Sequence, residues 1–323
     1  MSLPQRPLGA GGPLVSAVGL GCMSMSWAYH LGRRDDDESV RVIRRAMDRG
    51  VTHLDTAVMY GPHHNEVLVG RALAGVRPEG VVVASKAGLI VDDAERRLIR
   101  RDGRPETLRR LCDDSLRRLG VDQIDLYYLH RIDPDVPLEE SWGALADLVS
   151  AGKVHRLGLS ECTVRELDRA AAVHPVAALQ SEFSLWTREP LDDVIPWCEQ
   201  NGVAFVAFGV LGRGFLTGAI SPDQQFEPRD FRHSNPRFQP DAMTANLAMV
   251  EGIRRVAERH GASLAAICVA WTLAMGDHIL AIPGTKRAAW LDEDIDGGSL
   301  RLSPDDLRDL AGLPAPVGDR YAS

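Results

Sequence analysis

Lysine is scarce in this chain of 323 residues. Of its 37 basic residues only three are lysine, namely Lys86, Lys153 and Lys286. Arginine does not substitute for lysine where a compact ammonium group is needed. The three lysines therefore either mark such places or survive by chance in an arginine-rich genome, and both explanations stay open at this point.

Cysteine is too sparse to cross-link the fold. The five cysteines, at positions 22, 112, 162, 198 and 268, are odd in number and include no C-x-x-C pair. This spacing predicts buried, reduced thiols and does not indicate a metal site or a redox dithiol. His63 and His64 lack both the H-x-H spacing and the accompanying carboxylates of a metal-dependent barrel hydrolase, so we predict no metal.

Neither charge nor hydropathy suggests a macromolecular or membrane partner. The net charge is −8, no basic cluster is longer than a few residues, and no apolar stretch reaches membrane-spanning length. Arg96, Arg97, Arg100 and Arg101 are better explained as a solvated face than as an anion site. Residues 1–13 carry prolines and glycines where a signal peptide would be apolar. We expect a cytoplasmic protein that binds a small molecule, without nucleic acid or membrane, in an oligomeric state that the sequence does not predict.

The rest of the composition, 45% hydrophobic and 25% charged, is that of an ordinary globular protein. Short apolar runs alternate with helical patterns, which predicts an α/β fold, a single (β/α)8 TIM barrel domain spanning residues 1–323. The predicted strands are Val15–Cys22, Thr52–Val58, Val81–Ala87, Ile124–His130, Val154–Ser160, Ala177–Phe183, Val203–Val210 and Ile279–Gly284. The predicted helices include Asp37–Arg49, Asn65–Leu73, Pro105–Leu119, Leu138–Ser150, Thr163–Ala172, Ala242–His260 and Ser263–Met275.

Two segments outside this alternation have their own signals. Glycines within Pro7–Val15 predict an N-terminal β-hairpin that closes the bottom of the barrel. Asp223–Asp241, after the seventh strand, is a long loop able to fold over a ligand. A doubly wound sheet is the rival fold, but Gly19–Ser24 lacks the third glycine of the G-x-G-x-x-G pattern.

Polar side chains follow three of the predicted strands, where a barrel builds its active site. Asp55 closes the apolar run Val51–Leu54, Tyr60 follows in the next loop, Lys86 lies near the end of the third strand, and His130 ends the fourth. Each alone has a structural explanation, such as a turn cap or a core residue. Together they predict a proton-transfer site.

This set of side chains suits the reduction of a carbonyl group. A free tyrosine has a pKa of about 10, and a neighbouring ammonium would lower it by stabilising the phenolate. An aspartate would keep the lysine charged and oriented, and a histidine would donate a hydrogen bond to the carbonyl oxygen or help to relay the proton. The chemistry also needs a hydride donor.

Several segments resemble the signatures of the aldo-keto reductase superfamily in order and spacing. The resemblance spans nearly the whole chain and is nearest to the bacterial, plant and fungal branch that handles pyridoxal-like aldehydes, ketones and natural products. The segments are Gly50–Gly61, Asn65–Leu73, Ser115–His130, Gly158–Glu161, Ala178–Trp186, Leu211–Gly218 and Ile282–Arg287.

The resemblance implies NADPH-dependent reduction of an aldehyde or ketone, with Asp55, Tyr60, Lys86 and His130 as the catalytic residues. It further implies a cofactor site reaching from the nicotinamide to the adenine. Its implied residues are Ser160, Glu161 and Gln180 at the carboxamide, Phe208 against the nicotinamide ring, Gly209, Val210, Leu211, Gly212, Arg213, Gly214 and Phe215 at the pyrophosphate, Gly284, Thr285, Lys286 and Arg287 at the 2'-phosphate, and Trp290, Glu293 and Asp294 near the adenine. Core packing stays open as the role of Phe208 and of Trp290.

The chain departs from the family pattern at three places. Glu161 replaces a common asparagine, Gly209 and Val210 replace a common Ser-Pro pair, and Asp294 replaces an asparagine often found near the adenine. The departures do not remove the reaction but bear on how the cofactor is gripped. The candidate substrate-pocket residues are Trp27, Tyr29 and Trp186.

Two other functions are compatible with the same residues. Some barrels of this superfamily are non-enzymatic, NADPH-binding regulatory subunits of potassium channels. An alcohol or sugar dehydrogenase would run the same chemistry in the oxidative direction. Neither the physiological substrate nor the direction of flux follows from the sequence.

Overall fold

Eight parallel strands form a closed barrel at the centre of the computed structural model, which describes residues 3–29, 34–94 and 98–321. Neighbours in the barrel follow the order β3-β4-β5-β8-β9-β10-β11-β12. The strands of the chain are β1 (Gln5–Pro7), β2 (Leu14–Ser16), β3 (Leu20–Gly21), β4 (His53–Asp55), β5 (Val82–Ala87), β6 (Leu89–Asp93), β7 (Leu98–Arg101), β8 (Ile124–Leu129), β9 (Val154–Ser160), β10 (Ala178–Glu182), β11 (Ala204–Phe208) and β12 (Ile279–Ala281).

Strand β12 closes the barrel against β3, the first barrel strand in the chain. The Gly19 amide donates to the Ala281 carbonyl at 2.8 Å, and the Gly21 amide donates to the Pro283 carbonyl at 3.0 Å. Closure leaves no exposed sheet edge and brings the carboxyl ends of all eight strands to one face. The (β/α)8 barrel predicted from the alternation is confirmed.

Ten α-helices surround the barrel in the described part of the chain. They are α1 (Asp36–Asp48), α2 (His64–Leu73), α3 (Pro105–Leu119), α4 (Leu138–Ser150), α5 (Val164–Ala171), α6 (Val194–Asn201), α7 (Pro240–His260), α8 (Leu264–Ala274), α9 (Ala288–Ser299) and α10 (Pro304–Ala311). The boundaries of α3 and α4 match the prediction. In α3, Pro105 occupies the first turn and Gly120 ends the helix in a left-handed conformation.

The predicted first strand, Val15–Cys22, is wrong as one element. The structure divides it into the end of the hairpin and the short barrel strand β3. Ser16 causes the break, because its amide donates to the Thr52 hydroxyl at 2.7 Å and its own hydroxyl donates to the Val18 carbonyl at 2.7 Å. These side-chain bonds lie between the end of β2 at Ser16 and the start of β3 at Leu20.

The N-terminal hairpin of β1 and β2 plugs the bottom of the barrel, as predicted. Leu8 and Val15 from the hairpin share one buried cluster with inward-facing residues of the barrel strands, among them Val82, Leu126 and Val206. The hairpin therefore supplies the lowest layer of the barrel core, and the opposite face is left for chemistry.

The long loop after β11 is partly ordered into helix. A 3-10 turn spans Pro236–Phe238, and α7 begins at Pro240, two residues before the predicted start. The structure also contains a hairpin of β6 and β7 after β5, which the sequence analysis missed. Arg100 and Arg101 lie on β7, whereas Arg96 and Arg97 lie outside the described residues.

All five cysteines are buried and none forms a disulfide, as predicted. Among the described residues, no helix combines the length and the apolarity needed to cross a membrane.

Gly70 of α2 is a point of close approach between helices. A Cβ atom there would lie 2.6 Å from the Arg118 carbonyl oxygen and 2.7 Å from that of Leu119 on α3. Gly143 on α4 has no neighbour within 4 Å of such an atom. We expect Gly70→Ala to lower the free energy of unfolding by roughly 1–3 kcal/mol through overpacking. Gly143→Ala should raise it by about 0.5–1 kcal/mol through helix propensity.

Urea denaturation of the two variants beside the parent chain measures both changes. Equal stability of Gly70→Ala and the parent would contradict the close packing of α2 on α3.

Candidate active site

Three complementary side chains meet where β4 and β5 end. Lys86 Nζ forms an ion pair with Asp55 and donates a hydrogen bond to the Thr56 carbonyl at 2.9 Å. The same nitrogen lies 3.4 Å from the Tyr60 hydroxyl oxygen. Lys86, Asp55 and Tyr60 are all buried. The structure thus brings together three of the four predicted catalytic residues in direct contact.

His130, immediately after β8, completes this group. Its ring lies edge-on to the Tyr60 ring, with 5.9 Å between the centroids. Its Nδ1 atom is buried and has no hydrogen-bond partner within the described residues. Burial holds the pKa of His130 well below its usual value, and the positive charges of Arg131 and Lys86 add to the effect. The imidazole is therefore neutral at physiological pH.

Burial also raises the pKa of the Tyr60 phenol above its ordinary value, although Lys86 opposes the change. Burial alone would lower the pKa of Lys86, but the charges and hydrogen bonds of Asp55 and Tyr60 outweigh it and raise that pKa. Lys86 acts on the phenol in the direction expected from the sequence, yet desolvation is the larger effect. At neutral pH the group therefore consists of a neutral phenol beside an ammonium–carboxylate pair.

Of the residues expected at the nicotinamide carboxamide, Gln180 reaches this group and Ser160 contacts Arg131, the residue after His130. Gln180 on β10 donates to Asp55 Oδ2 at 2.8 Å. The hydroxyl of Ser160, the last residue of β9, accepts from Arg131 Nη1 at 3.0 Å. Arg131 was not among the predicted residues, although its place directly after His130 at a strand end is a signal that could have found it.

An apolar wall faces Tyr60. Trp27, a predicted pocket residue, is buried in one cluster with Tyr60. Half-buried side chains packed against that cluster are Met23, Tyr29, Leu89, Val91 and Phe231. Leu89 and Val91 come from the hairpin that the sequence analysis missed.

Trp186, the third predicted pocket residue, lies in a different environment. It is buried in an aromatic cluster, with its ring centre 4.8 Å from that of Phe215 and 5.5 Å from that of Phe238. Trp186 therefore packs against residues of the loop after β11.

That loop contains the residues expected at the pyrophosphate. Phe208 is half-buried at the end of β11, and Gly209, Gly212 and Gly214 all have positive φ angles. The amides of Gly212 and Gly214 donate to carbonyls within the loop, at 2.8 and 3.0 Å. Arg213 donates to Glu182 at 3.0 Å. Val210 and Phe215 are buried, and Leu211 is half-buried, so their side chains hold the loop in place.

The expected 2'-phosphate residues follow β12. Thr285 is buried and its hydroxyl accepts from the Arg287 amide at 3.2 Å, which fixes the turn. Gly284 and Arg287 are exposed, and Lys286 is half-buried. The Arg287 guanidinium lies 4.6 Å from the centre of the Trp290 ring, which is 48% exposed. Exposure to this extent argues against core packing as the role of Trp290.

Glu293 and Asp294 lie further along α9 and differ in burial. Glu293 is half-buried. Asp294 is buried, both of its carboxylate oxygens have no partner in the described part of the chain, and burial holds its pKa well above the usual range. A buried, unpartnered carboxyl group is costly unless a ligand completes it or it is neutral.

The sequence profile described as "Aldo/keto reductase family" matches residues 17–314. This chain belongs to the aldo/keto reductase family. A relative from Glycine max, described as probable aldo-keto reductase 1, is 38% identical over 312 residues, which are 97% of this chain and 89% of the relative.

Solved structures of aldo/keto reductases have the same fold. A glycerol dehydrogenase from Gluconobacter oxydans is similar with a TM-score of 0.86 and 32% identity, over 99% of this chain and 98% of that one. An aldo-keto reductase from Klebsiella pneumoniae in complex with NADPH has a TM-score of 0.76 and 26% identity, over the full length of both chains.

In this aldo/keto reductase, Glu161 has a partner that the sequence did not indicate. Arg320, near the C-terminus, forms ion pairs with Glu161 at 2.7 Å and with Glu182 at 2.8 Å. No local pattern marks such a contact, because the residues are more than 130 positions apart in the chain.

Proposed function

We propose that this aldo/keto reductase reduces an aldehyde or ketone to the corresponding alcohol, with Tyr60 as the general acid. The observation that carries the proposal is the buried Tyr60 phenol between the Lys86–Asp55 ion pair and the neutral His130 ring. An acid that donates a proton to an oxygen must be protonated and within hydrogen-bond reach of the reacting atom.

The cofactor is NADPH, which supplies the hydride when bound. The Klebsiella pneumoniae relative carries NADPH, and the residues of this chain fit such a group. The half-buried Phe208 ring, loop glycines with positive φ angles and a basic turn at Lys286 and Arg287 fit the nicotinamide, the pyrophosphate and the 2'-phosphate in turn.

Residues of the chain donate the proton and stabilise the charge that its transfer leaves behind. As the substrate carbon is reduced, the Tyr60 O–H bond breaks and its proton passes to the carbonyl oxygen, which becomes the alcohol. Lys86 stabilises the phenolate that is left, and Asp55 keeps Lys86 charged. His130, neutral because burial lowers its pKa, would donate a hydrogen bond to the same oxygen.

The apolar wall supports carbonyl compounds with hydrophobic or aromatic groups as substrates. Trp27, Met23, Leu89 and Val91 present carbon and sulfur surfaces on the side of Tyr60. Burying an apolar group there would favour such a substrate by about 25 cal/mol per Å².

One comparison favours the oxidative direction as a second candidate. The Gluconobacter oxydans relative is a glycerol dehydrogenase, and Tyr60 would act as the base for alcohol oxidation. A panel of aldehydes, ketones and alcohols with NADPH or NADP, followed by the absorbance of the reduced nicotinamide, separates the two directions. Cofactor binding without turnover in either direction would favour a regulatory subunit instead.

Tyr60→Phe tests the proposed acid. We expect at least about a hundredfold loss of kcat on a substrate whose chemical step is rate-limiting, with NADPH affinity nearly unchanged. Tyr127→Phe is the matched control, because it removes another buried phenol oxygen, whose neighbour is Ser115. Retention of a tenth of the parent activity in Tyr60→Phe would show that another group is the acid.

Lys86→Met should also reduce kcat, by raising the pKa of Tyr60 further. It leaves Asp55 buried without its partner, which costs roughly 3–5 kcal/mol of stability. A lower melting temperature should accompany the loss of activity, and Tyr60→Phe is therefore the cleaner test.

The pH dependence of reduction follows from the pKa directions. The raised pKa of Tyr60 keeps the acid protonated until the pH exceeds the ordinary tyrosine value of about 10. The lowered pKa of His130 removes any histidine ionisation near its usual value of about 6.5. We expect kcat for reduction to be flat from about pH 6.5 to about pH 10 and to fall only at higher pH, where Tyr60 loses its proton. An inflection near neutral pH in pre-steady-state measurements would contradict the assignment.

Lys286→Ala/Arg287→Ala tests the 2'-phosphate site. Each charge-assisted bond contributes roughly 1.5–3 kcal/mol, so the double variant should lose at least about tenfold of its preference for NADPH over NADH. Lys153→Ala/Arg308→Ala is the matched control, since it removes the same two residue types from surface ion pairs. Equal weakening of both cofactors in titrations would contradict this assignment.

A further inference from the structure

The C-terminal segment 317–321 runs to the mouth of the barrel in a defined position. The Val317 amide donates to Asn246 Oδ1 at 2.8 Å, and the Val317 carbonyl accepts from the same side chain at 3.1 Å. The Gly318 carbonyl accepts from Arg237, and the Arg320 carbonyl accepts from Asn235. These side-chain bonds to its backbone fix the segment against the loop after β11 and the start of α7.

Arg320, in this segment, forms an ion-pair cluster with Glu161 and Glu182. Its two terminal nitrogens contact both oxygens of Glu161 at 2.8 and 2.7 Å, and its Nε donates to Glu182 Oε2 at 2.8 Å. The Glu182 amide donates to Glu161 Oε1 at 2.8 Å. The side chains of Glu161 and Glu182 are only 15% and 5% exposed, so water screens their charges weakly.

The cluster lies beside the residues that we propose bind the cofactor. Glu161 directly follows Ser160, and a Cβ atom on Gly209 would lie 3.1 Å from Glu182 Cγ. The Arg320 guanidinium is 5.8 Å from the centre of the Phe208 ring. The two glutamates therefore flank the expected positions of the nicotinamide and of the first loop residue at the pyrophosphate.

Charge balance makes Arg320 necessary there. NADPH is a polyanion, and two unneutralised carboxylates beside it would repel it. Arg213 forms an ion pair with Glu182. Among the described residues, Arg320 is the only basic side chain at ion-pair distance from Glu161.

We propose that Arg320 is a positioning residue of the NADPH site: the C-terminal segment delivers a guanidinium that neutralises Glu161 and holds it, with Glu182, beside Ser160. The proposal rests on the proposed use of NADPH. It also explains how a glutamate can occupy a position where relatives commonly have a neutral asparagine, because Arg320 neutralises the negative charge of Glu161.

The test is a double-mutant cycle on the full-length protein. The variants are Arg320→Ala, Glu161→Gln and Glu161→Gln/Arg320→Ala. Glutamine keeps an oxygen that can accept from the Glu182 amide but carries no charge. Arg308→Ala is the control, because it removes an arginine of α10 whose ion pair with Asp305 is exposed. NADPH dissociation constants from fluorescence titration and apo melting temperatures are measured for each.

We expect Arg320→Ala to weaken NADPH binding at least about tenfold, Glu161→Gln to change it less than about threefold, and the double variant to recover most of the loss. Arg308→Ala should leave the dissociation constant unchanged. Recovery in the double variant is the result that a purely structural brace would not give.

Three results would overturn the proposal. An unchanged dissociation constant in Arg320→Ala, with or without a lower melting temperature, would make Arg320 a structural brace only. Equal loss in the single and double variants would mean that Arg320 acts without Glu161, for example by contacting a phosphate. Tighter binding in Arg320→Ala would mean that the segment obstructs the cofactor. Because these results are read from equilibrium binding, they are distinct from an absence of carbonyl reduction, which would overturn the proposed reaction alone.

Discussion

The ion pair between Lys86 and Asp55 is the constraint around which the mouth of the barrel is arranged. Their side chains are 0% and 3% exposed, and two charges withdrawn from water to this extent gain little net stability from each other alone. Bonds from Lys86 to Thr56 and Tyr60, and from Gln180 to Asp55, satisfy the groups that remain. Gln180 lies on β10, four strands from β4 in the closed order, so its bond to Asp55 spans the mouth of the barrel.

This arrangement divides the mouth into two sides with different physical character. Tyr60 lies in an apolar cluster next to the ion pair, and desolvation keeps the phenol protonated although Lys86 favours the phenolate. At the ends of β9–β11 the surroundings are ionic, with Glu182 paired to both Arg213 and Arg320. A neutral acid is favoured by apolar surroundings, and an anionic cofactor is favoured by charged partners. The closed barrel offers both within one opening because a different loop follows each strand end.

The sequence predicts those features whose causes are local. Pro105 and the amphipathic pattern after it determine α3, and the four candidate catalytic residues could be predicted because three lie at strand ends and Tyr60 lies in the loop after one of them. The hairpin after β5 was missed because its outer strand, with Leu98 and Arg100, is exposed on every residue and has no alternation. Arg320 was missed because the contact with Glu161 depends on how the barrel folds and leaves no pattern in either segment.

Glu161 illustrates how a local conformation and a distant contact combine. Its φ angle is +56°, in the left-handed region that asparagine tolerates better than most residues. A glutamate at this position therefore carries a conformational cost that the common asparagine largely avoids. The bidentate contact from Arg320 and the hydrogen bond from the Glu182 amide hold the side chain in this geometry. Because the first of these partners comes from the C-terminus, the conformation of the strand end beside Ser160 depends on the last residues of the chain.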